Sequence, residues 1–229
     1  MRIISIALAV LVISGLASTA RAGEPIGMFA GGDFSKMSRE DCQAKALDAL
    51  REHKFPHAEI TPDGFVLGRN AKATVMVFAF PYRDGVVALV AAVSKEKEEA
   101  ERLRNEIRES VLDPSHEADT DSVRQVTHSE MKNGLGVRWS IAKHGFLPTV
   151  RFFDAAATIV MEKHNLRTST ASKMMVFGGN DSTGVMAVLV PGANEVSVQL
   201  LVIGVSADEK EADRLQKMVS AELIKVLFE

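Results

Sequence analysis

The sequence predicts an α+β protein made of two tandem α-β-β-β-α units, each an antiparallel three-stranded meander with two helices on one face. The two meanders are open to joining as one six-stranded sheet. Three observations predict this. The chain repeats itself at a period near 110 residues; each copy begins and ends on an amphipathic helical stripe; and short Val-rich runs between turn residues lie inside each copy.

The repeat sets the boundaries. At an offset of 110, Val66, Gly68, Asn70, Val75, Met76 and Pro81 recur as Val176, Gly178, Asn180, Val185, Met186 and Pro191. At an offset of 112, Ser94, Glu99, Ala100, Arg102 and Leu103 recur as Ser206, Glu211, Ala212, Arg214 and Leu215. One short insertion at Gly204 and Val205 separates the two colinear blocks. The units are therefore drawn at 38–114 and 149–229, with a bridge at 115–148.

The first helix opens on Ser38, a good N-cap, with Glu40 and Asp41 in its first turn. Cys42, Ala46, Ala49, Leu50 and His53 follow at helical spacing. Its twin takes Thr149 as N-cap and carries Phe153, Ala157, Val160, Met161 and His164. Both stripes end on a His near a helix C-terminus, where free carbonyls and the macrodipole favour an imidazolium. The closing helices bury Ala100, Leu103, Ile107 and Val111 in one copy and Ala212, Leu215, Val219 and Leu223 in the other, with Glu98 and Arg102 paired on the wet face.

Between the helices, Phe65 to Gly68, Thr74 to Phe80 and Val86 to Val93 read as strands, with Asp84-Gly85 suited to a tight turn. The second copy offers Met174 to Gly178, Val185 to Val190 and Glu195 to Val202. In the bridge, an acidic stretch from Asp113 to Asp121 reads as a solvated linker. Val123, Val126 and Met131 fit a short helix, while Val137, Trp139 and Ile141 alternate like a strand. Residues 23–37, with Gly27, Gly31 and Gly32, read as a flexible mature terminus.

The first 22 residues carry the marks of a cleavable secretory signal: Arg2, an apolar run from Ile3 to Ile13, and Ala20-Arg21-Ala22 before Gly23. The run is short for a membrane span, and no later segment of comparable length is free of charge. No Cys follows it to take a lipid anchor. The expectation is a periplasmic or secreted protein with no stable membrane span after cleavage. Removing Arg2 and Arg21 leaves 25 basic against 30 acidic side chains, a net charge of about −5, which disfavours nucleic acid as a partner. A single cysteine excludes an intramolecular disulfide, so the fold must stand on its core.

The chemistry-bearing residues are few. The repeat matches Cys42 to Phe153, which points to a buried, inert thiol. His53 and His57 have the spacing of a helical metal pair, but Pro56 interrupts the face it needs. His116 and the acidic residues after it lack the spacing of a Ca²⁺ loop. Gly179 and Gly184 have phosphate-loop spacing, yet Val185 and Met186 stand where Lys and Ser or Thr are required. Ten Met residues lie mostly on apolar faces and read as core rather than as copper ligands. No nucleophile elbow, zincin motif, Cys-x-x-Cys or dinucleotide fingerprint occurs. The expectation is no catalytic residue, no metal, no cofactor and no enzyme.

The stretch Asp41-Cys42-Gln43-Ala44-Lys45-Ala46 to Phe55, followed by Val66-Leu67-Gly68 and two further strands, resembles small exported bacterial proteins of unknown function built on one helix, three-strand, helix unit. That pattern matches a helix Cys with a strand Cys, and this chain has Cys42 alone, so no disulfide carries over. The resemblance implies location and architecture and no activity.

A non-catalytic binding or interaction role in the periplasm, with a protein or small ligand as partner, is the expectation from a sheet face that helices leave uncovered. Its candidate residues are Arg69, Asn70, Lys72, Arg83, Asn180 and Asp181 in the turns, with Arg138 and Trp139 in the bridge. The alternative is a small-molecule or lipid carrier with a pocket between the repeats.

Overall fold

The computed structural model describes residues 27–113, 135–144, 152–180, 182–191 and 197–228. The first half runs β1 (Gly27–Ser35), α1 (Arg39–Glu52), β2 (His57–Ile60), β3 (Val66–Arg69), β4 (Ala73–Tyr82), β5 (Gly85–Ser94) and α2 (Lys97–Leu112). The second runs β6 (Gly136–His144), α3 (Phe153–Lys163), β7 (Arg167–Ser172), β8 (Met175–Gly179), β9 (Thr183–Pro191), β10 (Val198–Ser206) and α4 (Glu209–Phe228). The molecule is α+β, with two five-stranded antiparallel sheets ordered β1-β5-β4-β3-β2 and β6-β10-β9-β8-β7.

Each expected three-stranded meander is thus the centre of a five-stranded sheet. The segment read as a flexible terminus contains β1, which pairs along the whole of β5, from Gly27 opposite Ser94 to Ser35 opposite Val86. Part of the bridge is β6, which pairs with β10 from Gly136 opposite Ser206 to His144 opposite Val198. Each half therefore begins earlier than the helix at which the sequence placed its start. The sheet edges are β1 and β2 in the first half, with β2 directly after Pro56, and β6 and β7 in the second, where the Arg-Thr-Ser-Thr-Ala-Ser of β7 is mostly polar.

The sheets do not join into one; they stack face to face, with helices outside. Val75, Val77 and Ala79 of β4 and Val86, Ala88, Val90 and Ala92 of β5 pack under Leu50, Leu103 and Ile107. The alternate residues, Met76, Phe78, Phe80, Leu89 and Val93, meet Met186, Val188, Leu201 and Ile203 of the other sheet. The second half covers its outer face in the same way with Phe153, Met161, Leu215 and Val219. Burying one large apolar side chain contributes about 1.5–3 kcal/mol, against roughly 1 kcal/mol net for one hydrogen bond gained at a sheet edge. Two apolar inner faces therefore stack rather than extend. That stacking consumes the uncovered face on which a protein-binding role was expected to rest.

Close approach of helix to sheet explains the recurring glycines. A Cβ on Gly68 would lie 2.6 Å from a methyl of Leu50, and one on Gly178 would lie 2.7 Å from the sulfur of Met161. Ser38 caps α1, accepting from the Asp41 backbone at 3.0 Å. α3 begins at Phe153 after Phe152, without a side-chain cap, and Thr149 lies outside the described residues. Arg102 pairs with Glu99 and Glu106 rather than with Glu98. His53 and His164 do end their helices, and each reaches across to the closing helix, to Glu106 at 3.3 Å and Glu222 at 2.9 Å.

Candidate functional site

The residues chosen from the turns do not converge. Asn70 builds its own turn: its Oδ1 accepts from the backbone of Lys72 at 2.9 Å and of Ala73 at 2.8 Å. Asn180 does the same for Ser182 at 3.1 Å and Thr183 at 3.0 Å. Lys72 is exposed, and Arg69 ends β3 opposite His57. Arg83 occupies the β4–β5 turn with φ 51° and lies over the Tyr82 ring at 5.1 Å. Arg138 pairs with Glu209 at the start of α4. Asp181 lies outside the described residues. Trp139 stands beside a cavity, through its contacts with Asp63 and Phe65.

That cavity, of about 440 Å³, opens between the sheets, with Asp63, Phe65, Phe78 and Phe80 on one side and Ile141 of β6 and Gln199 of β10 on the other. Local sequence shapes its rim. The β2–β3 turn closes through Gly64 donating to the Thr61 carbonyl at 2.8 Å, with Gly64 at φ 77°. Arg39, also in the wall, lies directly over Gly64, so close that a Cβ there would sit 2.1 Å from its Nη2. Its Nη2 donates to the carbonyls of Gly64 at 2.7 Å and Asp63 at 3.4 Å, and Gln43 donates to the Gly64 carbonyl at 2.8 Å. The Nε of Arg39 is buried and has no hydrogen-bond partner. From the other half, Trp139 donates its indole N–H to Asp63 Oδ2 at 3.2 Å and stands edge-on to Phe65 at 4.8 Å.

The floor is aromatic. Phe65 stacks on Phe78 at 4.6 Å and Phe78 on Phe80 at 6.0 Å. At an offset of 110 the second half has Met175, Val188 and Val190, so the aromatic character belongs to one side only. Arg39, Asp63 and Gln199 escaped sequence reasoning because each is a single polar residue far from the others in the chain. Phe78 and Phe80 carried a signal, a same-face pair in a strand, that equally describes any core.

Cys42 is fully buried, and burial pushes its thiol up to about 12, with Lys45 opposing in part. Glu222 is held below the usual carboxylate range by its hydrogen bonds to Lys163 first and His164 second. Among the described residues no three His, Cys, Asp or Glu side chains gather as a metal site. Among the same residues no helix is long and apolar enough to cross a membrane.

No protein-family model matches the chain, and no curated protein matches it. Among solved structures it is similar to the di-domain ARO/CYC StfQ from the steffimycin biosynthetic pathway, at 10% identity over 87% of this chain and 96% of that one, TM-score 0.26. It is also similar to the di-domain ARO/CYC BexL from the BE-7585A pathway, at 8% identity over 88% and 99%, TM-score 0.25. A third is DynU16 from the dynemicin biosynthetic locus, at 8% over 87% and 97%, TM-score 0.24. Likeness at this level carries no substrate or mechanism across. The expectation of a non-enzyme does not stand, because it rested on the absence of a sequence motif. Catalytic groups scattered through a sequence leave no motif, so the lack of one was no ground for that expectation.

Proposed function

We propose that the chain is an exported protein that binds a small molecule in the cleft between its two sheets. One observation carries the reading: a cavity of about 440 Å³ whose walls come from both halves. Small-molecule sites commonly enclose about 300–1,000 Å³, with mostly apolar walls and a few placed polar groups. Arg39, Asp63 and Gln199 are those groups, against the phenylalanine floor. Export is supported by Arg2, the apolar run to Ile13 and Ala20-Arg21-Ala22. The two halves are read as copies of one duplicated unit, supported by their common strand order and by Gly68 and Gly178 meeting equivalent helix residues. On that reading, Phe65, Phe78, Phe80 and Trp139 mark where the first copy and its partner strand diverged to make a site.

The test is native mass spectrometry of the mature chain isolated from its own periplasm. The expected result is an adduct that survives mild desolvation, disappears on denaturation and is lost in Ile141→Trp, which fills the cleft. A bare mass from the wild-type protein, or an adduct retained by Ile141→Trp, counts against the site.

A further inference from the structure

Resting on that reading of the cleft, the charge of its wall names a ligand class. We propose that the cleft takes an organic anion, whose apolar body lies against Phe80, Pro81 and Ile141 and whose carboxylate or similar oxyanion meets Arg39.

Arg39 donates through its Nη2 to two backbone carbonyls, which are dipoles and leave the unit charge unbalanced. Its Nε is buried without a hydrogen-bond partner. No carboxylate forms an ion pair with it among the described residues, and Asp63 in the same wall accepts from Trp139 instead. Arg39 is only part-buried, so its Nη groups keep water in an open cleft while the enclosed Nε is out of reach of water and ligand alike. A neutral ligand that fills the cleft strips this water from the guanidinium and returns nothing, which is costly for a charge in an apolar site. An oxyanion replaces the lost solvation with charge-assisted hydrogen bonds, which the planar fork of an arginine makes well. Filling the cleft therefore favours a ligand of negative charge.

The chain contains one tryptophan, Trp139, and it stands against the cleft floor, so its emission reports occupancy. Titrating the mature protein with 2-naphthoate, 2-naphthamide, 2-naphthylmethylammonium and decanoate separates charge from shape. The expected result is that both anions bind, with naphthoate about tenfold tighter than its neutral amide. Arg39→Gln is expected to erase that preference, so that naphthoate and its amide bind alike, and Arg39→Lys to restore part of it. An amide or ammonium that binds as tightly as naphthoate overturns the anion assignment and leaves the cleft standing as a site. The same holds if Arg39→Gln keeps the preference. If none of the four probes alters Trp139 emission or adds mass in native spectrometry, the cleft itself is not a binding site and both readings fall.

Discussion

Trp139 donates its indole N–H to Asp63 at 3.2 Å while its ring stands edge-on to Phe65 at 4.8 Å. One residue of β6 thereby joins the second sheet to both the turn and the core of the first. Trp139→Phe keeps the ring edge and loses the donor, with an expected cost of about 1 kcal/mol. Trp139→Ala also removes the packing and is expected to cost about 2–4 kcal/mol. Urea unfolding followed by circular dichroism measures both; equal losses would show that the ring contact contributes little.

Gly68 and Gly178 admit Leu50 and Met161 to the sheet surface. Gly68→Ala is expected to destabilise by about 1–3 kcal/mol, as overpacking does, and Gly178→Ala by less, because a thioether adapts more readily than a branched side chain. Adding Leu50→Ala to Gly68→Ala makes room for the new methyl, so the double variant should lose less than the two single losses together. Additive losses in a thermal or urea series would place the strain elsewhere.

Arg104 and Gln216 occupy matching places on α2 and α4 but behave differently. Gln216 and Ser220 both bond to Ser140 in a neutral network. Arg104 is 3% exposed, lies over Gly31, and has a buried Nε without a partner. Burial first and the neighbouring Arg108 second hold its pKa below the usual range, while Arg108 itself has Asp33 at 2.8 Å. Arg104→Met should therefore raise stability by about 1 kcal/mol, as replacement of a buried charge that burial and a like charge oppose often does, with Glu101 offsetting only part of that cost. A lower urea midpoint for Arg104→Met would mean that the guanidinium is better solvated than its burial implies.

Cys42 is expected to resist a thiol reagent in the native protein at pH 8 and to label only as the chain opens, at a rate that follows global stability in urea. The pH effect has a definite sign. Burial raises the folded thiol from 9.0 to about 12, so its favourable contribution is complete below the unfolded value. It is lost as the pH climbs from about 9 toward 12, and Cys42→Ala should flatten that limb of the stability curve. Rapid labelling at low urea would instead reveal local opening of α1.

The parts legible in the sequence were those whose own residues dictate them. Ser38 as a cap, the stripe Ala100, Leu103, Ile107 and Val111, and the three central strands of each half appear, though the run read as Glu195 to Val202 is a strand at Val198–Ser206. β1 was not legible, because Gly27, Gly31 and Gly32 weaken any strand signal; the open edge of β5 makes it a strand. β7 was missed for its polar Arg-Thr-Ser-Thr-Ala-Ser. The stacked sheets left a readable trace: Thr74 to Phe80 and Val86 to Val93 are apolar at both parities, whereas a sheet wet on one face alternates. The site was hardest, since its floor is phenylalanine like any core and its charge, Arg39, sits one residue after a helix cap.

The strand order β1-β5-β4-β3-β2 has a kinetic side as well. β2 to β5 follow one another through short turns and can zip up as successive hairpins. β1 must wait until residues up to Ser94 exist and have settled, and closing so long a loop slows its docking. Of these five strands the one earliest in the chain is then the last to find its place, and β6 repeats the delay against β10. During that interval β5 and β10 each present a bare edge. A β1 from a second molecule fits the edge of β5 as well as its own does, so exchange of leading strands is the characteristic way for this topology to form a dimer.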